Sequence, residues 1–184
     1  MAKLPFKTEP TKTTEIVGNS QIGELEFPVV GDLTVREQAW ITEHMAKHST
    51  FLEMARIANK VAKAAKIQPV AAHRFLTKCV TAAMLGQRTE EFDEKEDNLR
   101  IKFAREIEEL SAALLRQQWE RQLVTVTALI RYRLEDMLDF TVEDARDLSQ
   151  QLIVEIYMFA MRETGTPDEE VMQSEGELAE ELGK

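Results

Sequence analysis

Two histidines spaced four residues apart come closest to a metal site in this sequence. His44 and His48 lie in the segment HMAKH, and four-residue spacing on an α-helix places two imidazoles on one face, as in zinc enzymes. The zinc-protease pattern also requires a glutamate directly after the first histidine, and Met45 occupies that position. Since no third ligand is identifiable, an enzyme or regulator using these histidines is the least favoured hypothesis, and we expect no metal.

The other reactive residue types show no catalytic arrangement either. The single cysteine, Cys79, follows Lys78 without a candidate base beside it, which is typical of a buried structural thiol rather than a nucleophile. The seven glycines form neither a phosphate-binding loop nor a dinucleotide-binding loop. The acidic residues are spaced as solvated helix faces. We therefore expect no catalytic residues and no cofactor, and we predict that the protein is not an enzyme.

Composition favours one soluble, helix-rich domain. The chain has 184 residues, of which 43% are hydrophobic, 30% charged and 7% aromatic, and so low an aromatic share is unusual for an all-β fold. No apolar run approaches the roughly 20 residues of a bilayer span, and the N-terminus lacks the apolar core of a secretory signal. A lone cysteine fits a reducing compartment. We expect a cytoplasmic protein without a membrane partner.

Negative charge is concentrated in two segments. The net charge is −10; residues 89–98 hold six acids and one lysine, and residues 164–184 hold seven acids and one lysine. The remaining residues together are close to neutral. Because contacts with phosphates need a basic face, this distribution predicts no nucleic-acid partner.

The N-terminal region is predicted to form a flexible arm, residues 1–15, followed by a small β-ribbon, residues 16–30. The stretch IGELEFPVV alternates, with Leu25, Phe27 and Val29 on one face, as expected of a half-buried strand. The preceding GNSQ is typical of a turn. Because a two-stranded ribbon is marginally stable alone, we expect these three side chains to pack on helices or to bind a partner.

From Thr34 onward the pattern is helical. Two threonines are each followed by an acid three residues later, Thr34 by Glu37 and Thr141 by Asp144, and this spacing predicts helix N-caps in the capping-box arrangement. Helices are expected over about 35–47, from 49 or 50 to about 65, over 70–85, and from the acidic segment onward. The β-branched segment LVTVTALI is compatible with a strand, but its flanks keep the helical period, so we predict a helix there. We predict a bend or break at the polar residues 116–118, and one last helix from Thr141 to about residue 165.

The predicted fold is therefore an all-α bundle of five or six helices with an N-terminal β-ribbon. The helical domain should cover residues 16–165, and residues 166–184 should form a flexible acidic tail. Met54, Met84, Met137 and Met161 fit core stripes by their spacing, whereas other methionines are candidates for an adaptable contact surface. The residues predicted to bind a partner outside the ribbon are Met45, Met158, Met172, Leu178 and Leu182.

Two blocks of the sequence resemble proteins of long-tailed bacteriophages and prophages. The block GELEFPVVGDLTVREQAWI is similar to the opening of tail assembly chaperones or related small tail proteins, and TALIRYRL followed by FTVEDARDLSQQLIVEIYMFAMRE is similar to a C-terminal helix pair of phage-derived proteins. The resemblance covers about a third of the chain.

This resemblance implies a non-enzymatic chaperone or scaffold in the host cytoplasm that binds the tape-measure protein or tail-tube protein. Helix–groove contacts and acidic arms would mediate that binding, and an oligomer is compatible with it. The alternative is a structural virion subunit of the tail, neck or baseplate that uses its N-terminal ribbon for subunit contacts.

Overall fold

The computed structural model describes residues 13–85 and 92–164. Within these ranges the chain forms two strands and seven α-helices, with one 3-10 turn (Ala46–His48). The strands are β1 (Thr14–Asn19) and β2 (Gly23–Pro28), and the helices are α1 (Val35–Met45), α2 (Phe51–Ala65), α3 (Pro69–Leu85), α4 (Glu94–Lys102), α5 (Ala104–Arg133), α6 (Val142–Arg146) and α7 (Gln150–Thr164). The predicted helical fold with an N-terminal ribbon is confirmed. Residues 1–12 of the predicted arm and the predicted tail, 166–184, lie outside the described residues.

These residues group into two compact units. The first contains the chain up to His44 and from Arg121 onward, and the second contains Met45–Glu120. The sequence predicted one helical domain over 16–165. α5 is long enough to supply apolar side chains to two cores, its residues up to Glu120 to the second unit and those from Arg121 to the first. No helix in the described part of the chain has the length and apolarity of a membrane span.

In the first unit, the predicted hairpin is present. β1 and β2 pair antiparallel, with Val17 opposite Leu25 and Asn19 opposite Gly23. The turn is closed by a hydrogen bond from the Ile22 amide to the Asn19 carbonyl (3.2 Å). Gly18 has φ +100°, and a Cβ there would lie 2.1 Å from the Gly23 carbonyl oxygen, so only glycine fits at this position.

The apolar segment LVTVTALI is helical and lies inside the first unit. All of residues 123–130 are buried, and a helix that is apolar on every side must be covered on every side. The Thr127 hydroxyl donates to the Leu123 carbonyl within the helix (2.7 Å), so one polar group of this segment is satisfied locally. The core of this unit includes Val17, Phe27, Leu123, Leu129, Ile153, Ile156 and Phe159.

In the second unit, α2 and α3 form a hairpin that packs with α4 and the first half of α5. α2 ends where Lys66 adopts a left-handed conformation (φ 55°) and donates its amide to the Ala62 carbonyl, and α3 begins at Pro69, which suits a first helical turn. The core of this unit includes Ile57, Val61, Phe75, Leu76, Phe103 and Leu110.

Two predicted helix boundaries are wrong. The break expected at residues 116–118 is absent, because Arg116 and Gln118 are exposed on a continuous α5. The interruption comes earlier, at the buried Phe103 between α4 and α5. The helix expected from Thr141 to about residue 165 is divided into α6 and α7, and the Ser149 hydroxyl accepts from the Leu152 amide (3.2 Å), which starts a new helix there.

Both predicted capping boxes are confirmed. The Thr34 amide donates to Glu37 (2.7 Å) and the Glu37 amide to the Thr34 hydroxyl (3.3 Å). Around α6, the Thr141 amide donates to Asp144 (2.7 Å) and the Asp144 amide to the Thr141 hydroxyl (3.3 Å). The Thr141 hydroxyl also donates to the Asp144 carboxylate, and this bond, followed by that of the backbone amide, lowers the pKa of Asp144.

We expect Thr34→Ala and Thr141→Ala each to lower the unfolding free energy by about 1 kcal/mol, because each leaves a helix N-terminus uncapped. Thermal unfolding should show a decrease of roughly 2–4 °C for a chain of this size. Thr141→Ser, which keeps the hydroxyl, should retain most of the stability. The pKa of Asp144, followed by NMR, should rise in Thr141→Ala. Unchanged melting in both alanine variants would contradict the cap assignment.

Candidate functional site

The most constrained polar site in the described chain is an ion cluster inside the first unit. The Arg133 side chain, at the end of α5, is 2% exposed; that of Glu37 on α1 is 0% exposed and that of Glu163 on α7 is 6% exposed. Arg133 contacts Glu37 through two hydrogen bonds, from Nε to Oε1 (2.7 Å) and from Nη2 to Oε2 (3.2 Å). Its Nη1 donates to the Glu163 carboxylate. Three helices thus contribute one charged side chain each.

The guanidinium uses all five of its N–H groups. Beyond its bonds to the two glutamates, Nη1 donates to the Pro28 carbonyl (3.4 Å) and Nη2 to the Asp32 carbonyl (3.1 Å). A buried arginine has five donors to satisfy, and unsatisfied donors away from water are costly. This arrangement is therefore a completed network, with no donor directed at a missing ligand.

The two carboxylates bind the backbone of the segment that joins β2 to α1. Glu163 accepts from the amides of Val30 (2.8 Å) and Gly31 (3.2 Å), and Glu37 accepts from the Thr34 amide. The three side chains sum to a charge of −1, and these backbone donors offset the excess negative charge. The cluster, defined as Arg133, Glu37 and Glu163, fixes how the ribbon, α1 and α7 are joined.

The pKa shifts in the cluster follow from this geometry. Burial would lower the pKa of Arg133, but its hydrogen bonds to Glu37 and Glu163 raise it above its ordinary value. Burial would raise the pKa of Glu163, but hydrogen bonds from Arg133 and from the Val30 and Gly31 amides outweigh burial and lower it. Both groups are therefore held in their charged forms at neutral pH.

The ribbon residues predicted to bind a partner differ in accessibility. Phe27 is 0% exposed, and its ring stacks on that of Phe159, with 5.6 Å between the ring centroids. It is therefore a core residue, because the alternation of β2 directs this side chain toward α7. Leu25 and Val29 are half-buried. On the opposite face of the ribbon, Ile16 is 65% exposed.

The predicted methionine surface is described only in part. Met158 is 45% exposed, and Val154, one turn earlier on α7, is 39% exposed. Met45, at the end of α1, is half-buried. Met172, Leu178 and Leu182 lie outside the described residues. Of the predicted methionines, Met158 is thus the exposed one among the described residues, and Val154, which was not predicted, forms an apolar pair with it on the outer face of α7.

The two histidines do not keep their α-helical spacing. α1 ends at Met45, and His48 lies in the 3-10 turn. The His44 ring stacks on Trp40, with 3.8 Å between centroids, and its Nδ1 lies 2.8 Å from the Trp40 carbonyl oxygen. Across residues 13–85 and 92–164, no three His, Cys, Asp or Glu side chains are grouped as metal ligands.

Cys79 is buried in the core of the second unit, as predicted. Its exposed fraction is 3%, and burial, the largest effect, raises its pKa to about 11. Because the nucleophilic form of cysteine is the thiolate, this thiol is unreactive at neutral pH.

The second unit also has an open cleft of about 270 Å³ beside the start of α2. Its walls are formed by Lys47, His48, Ser49, Thr50, Ala113, Arg116, Gln117 and Glu120. The Thr50 hydroxyl does not cap α2 and donates instead to the Gln117 side chain across the cleft (2.8 Å). This bond joins α2 to α5.

Sequence patterns did not reveal the roles of Arg133 and Glu163. Glu37 was predicted only as a capping residue, yet its strongest partner lies 96 positions away. The available signal was weak: Arg133 follows the apolar run at the end of α5, where a charged side chain must either reach solvent or find a partner.

Comparisons with protein-family models, with curated proteins and with solved structures find no match to this chain.

Glu163 should give the fold a measurable acid sensitivity. Its pKa is lowered in the folded chain, so its stabilising contribution is complete above the unfolded-state pKa of about 4.3 and is lost as pH falls further. Glu163→Gln should reduce the unfolding free energy at pH 7, and the difference from the natural chain should shrink as pH falls below about 4. Urea denaturation across this range measures both effects.

Two further variants test the same assignment. Glu43→Gln, at an exposed position of α1, should leave stability at pH 7 nearly unchanged. Arg133→Met should be the most destabilising change, by about 3–5 kcal/mol, because it leaves two buried carboxylates without their cation. A stability difference between Glu163→Gln and the natural chain that stays constant from neutral to acid pH would contradict the linkage.

Proposed function

We propose that this chain is a non-enzymatic, phage-type tail assembly chaperone or scaffold that binds tape-measure or tail-tube protein in the host cytoplasm. The observation that carries the proposal is the exposed apolar pair Val154 and Met158 on α7. The resemblance of the ribbon and C-terminal blocks to phage tail proteins gives the class of partner.

The setting of α7 supports a binding role. Its inner face is anchored in the first unit by Ile156 and Phe159, and Glu163 ties its end to the ion cluster. The exposed side of α7 places Val154 and Met158 between the polar Gln151 and Arg162, and such an apolar pair with polar flanks is suited to pack against an amphipathic partner helix. Met158 adds adaptability, because an unbranched thioether side chain can repack against different surfaces.

The alternative is a structural virion subunit of the tail, neck or baseplate. One observation favours it: the ribbon contains only β1 and β2, so each strand has an edge that is not paired within this sheet, and such edges accept strands from other chains. The exposed Ile16 on β1 would lie in such a contact.

Co-expression with the tape-measure and tube proteins of a long-tailed phage tests the proposal. We expect a complex that survives size-exclusion chromatography and is lost when Val154→Asp and Met158→Asp are combined, because two charges would enter an apolar contact. The matched control combines Met137→Asp and Leu138→Asp, at 41% and 58% exposed apolar positions of the same unit, and it should keep the complex. Equal binding by the two double variants would contradict the assignment to α7.

Mass spectrometry of purified particles separates the two proposals. A chaperone should be absent from them, whereas a structural subunit should be present at a fixed ratio to the tube protein. The absence of tail genes around this gene would contradict both.

A further inference from the structure

The α2–α3 hairpin concentrates positive charge in an acidic chain. Residues 46–85 contain seven lysines and arginines and a single acid, Glu53, for a net charge of +6 in a chain whose total is −10. This segment lies within the second unit. Lys60 pairs with Glu106 of α5, and Lys78 pairs with Glu96 of α4. What the surface of the hairpin can bind depends on which other cations are exposed together.

Two of these cations share the outer face of α2 with an exposed leucine, and a third follows at the helix C-cap. Leu52, Arg56, Asn59 and Lys63 follow one another at intervals of four, three and four residues, which places them in one stripe along the helix. Lys66 follows at the C-cap in a left-handed conformation. All five are exposed, Leu52 at 80%. We call this stripe together with Lys66 the α2 outer face. It contains no acid, and no ion pair among the described residues involves Arg56, Lys63 or Lys66.

A segment of complementary chemistry is present in the same sequence. Residues 165–184 carry seven acids and one lysine, a charge of −6, together with Met172, Leu178 and Leu182. The stripe from Leu52 to Lys63 is about 17 Å long at 1.5 Å per residue. A segment of 20 residues is long enough to cover it in either a helical or an extended conformation. Its apolar residues provide partners for Leu52.

We propose that the α2 outer face binds the acidic C-terminal segment, residues 165–184, of a second copy of this chain. Carboxylates of the segment would pair with Arg56, Lys63 and Lys66, and a leucine of the segment would cover Leu52. This inference does not depend on the proposed function, since it concerns recognition of the chain's own sequence.

Electrostatics favours this occupant over nucleic acid. The chain as a whole is strongly negative, so a long polyanion would be repelled by the surrounding surface. A short acidic segment interacts mainly with charges within a Debye length, about 8 Å at physiological salt. The exposed leucine also matches a peptide with apolar side chains better than a phosphate backbone, which offers it nothing to pack against.

Fluorescence anisotropy with a labelled synthetic peptide of residues 165–184 tests the proposal. The receptor is the full-length chain with the seven acids of that segment replaced by the matching amides, so that its own segment does not compete. We expect saturable binding that weakens at least about tenfold when Arg56→Glu and Lys63→Glu are combined. Leu52→Ser should weaken it by a smaller factor. Raising the salt concentration should weaken binding further.

A control double variant on α4 changes the net charge by the same amount as the double variant on α2. Combining Lys95→Glu and Lys102→Glu, at exposed positions of α4, should change affinity less than about twofold. The peptide with amides in place of its acids should bind at least about tenfold more weakly. If charge reversal at the α2 outer face disturbs folding, as seen by circular dichroism, the combined variant Arg56→Gln and Lys63→Gln replaces it, with the same direction expected.

Three results would overturn the proposal. The first is equal weakening by the α2 and α4 double variants, and the second is equal binding of the amide peptide. The third is tighter binding of a DNA duplex than of the peptide at about 0.15 M salt, lost in the Arg56 and Lys63 variant, which would make nucleic acid the occupant. None of these outcomes depends on whether the Val154 and Met158 surface binds tail proteins.

Discussion

The first unit depends on one guanidinium group. In the segment between β2 and α1, the Val29 amide donates to the Thr13 carbonyl (2.8 Å), and the backbone groups that follow need other partners. The Arg133–Glu37–Glu163 cluster supplies them: Arg133 donates to the carbonyls of Pro28 and Asp32, and the two carboxylates accept from the amides of Val30, Gly31 and Thr34. The side chains of three helices thereby replace the secondary structure that this segment lacks.

A buried ion cluster is weak evidence for stability, because desolvating three charges offsets much of their attraction. The stronger effect of the Arg133–Glu37–Glu163 cluster is on how the helices and the ribbon are oriented. The planar guanidinium of Arg133 donates hydrogen bonds to carboxylates only in certain directions. The cluster therefore fixes the start of α1 and the end of α7 relative to the ribbon. Phe159 adds to this, since its ring stacks on Phe27 and lies 6.0 Å from the Arg133 guanidinium carbon. An outer face of α7 held this firmly could bind a partner helix without first being ordered.

Features encoded by neighbouring residues were predictable from the sequence, and features encoded by distant contacts were not. The two capping boxes, the hairpin and the helical state of LVTVTALI depend on residues within a few positions of each other. The second role of Glu37 depends on Arg133, and the inward position of Phe27 depends on α7, so no local pattern contains either. The break expected at residues 116–118 failed for a related reason, because polar residues on a solvent-facing helix surface do not disturb the helix. Met137 fitted a core stripe by spacing, yet it is 41% exposed because α5 ends at Arg133, before that residue.

The distribution of charge shows why charge must be assigned to individual helices and segments as well as to the whole chain. Outside the two acidic segments the net charge is about +1, which combines a net charge of +6 in residues 46–85 with −5 in the rest. Averaging over the chain hides this contrast, and only the bounds of α2 and its burial pattern show that Arg56 and Lys63 share one exposed helix face. Screening limits each charge to neighbours within about 8 Å at physiological salt, so a partner encounters the charge of a face and not the net charge of the chain. An acidic protein can therefore present a basic, partly apolar surface, and for a partner no longer than that surface the local charge matters more than the net charge of the chain.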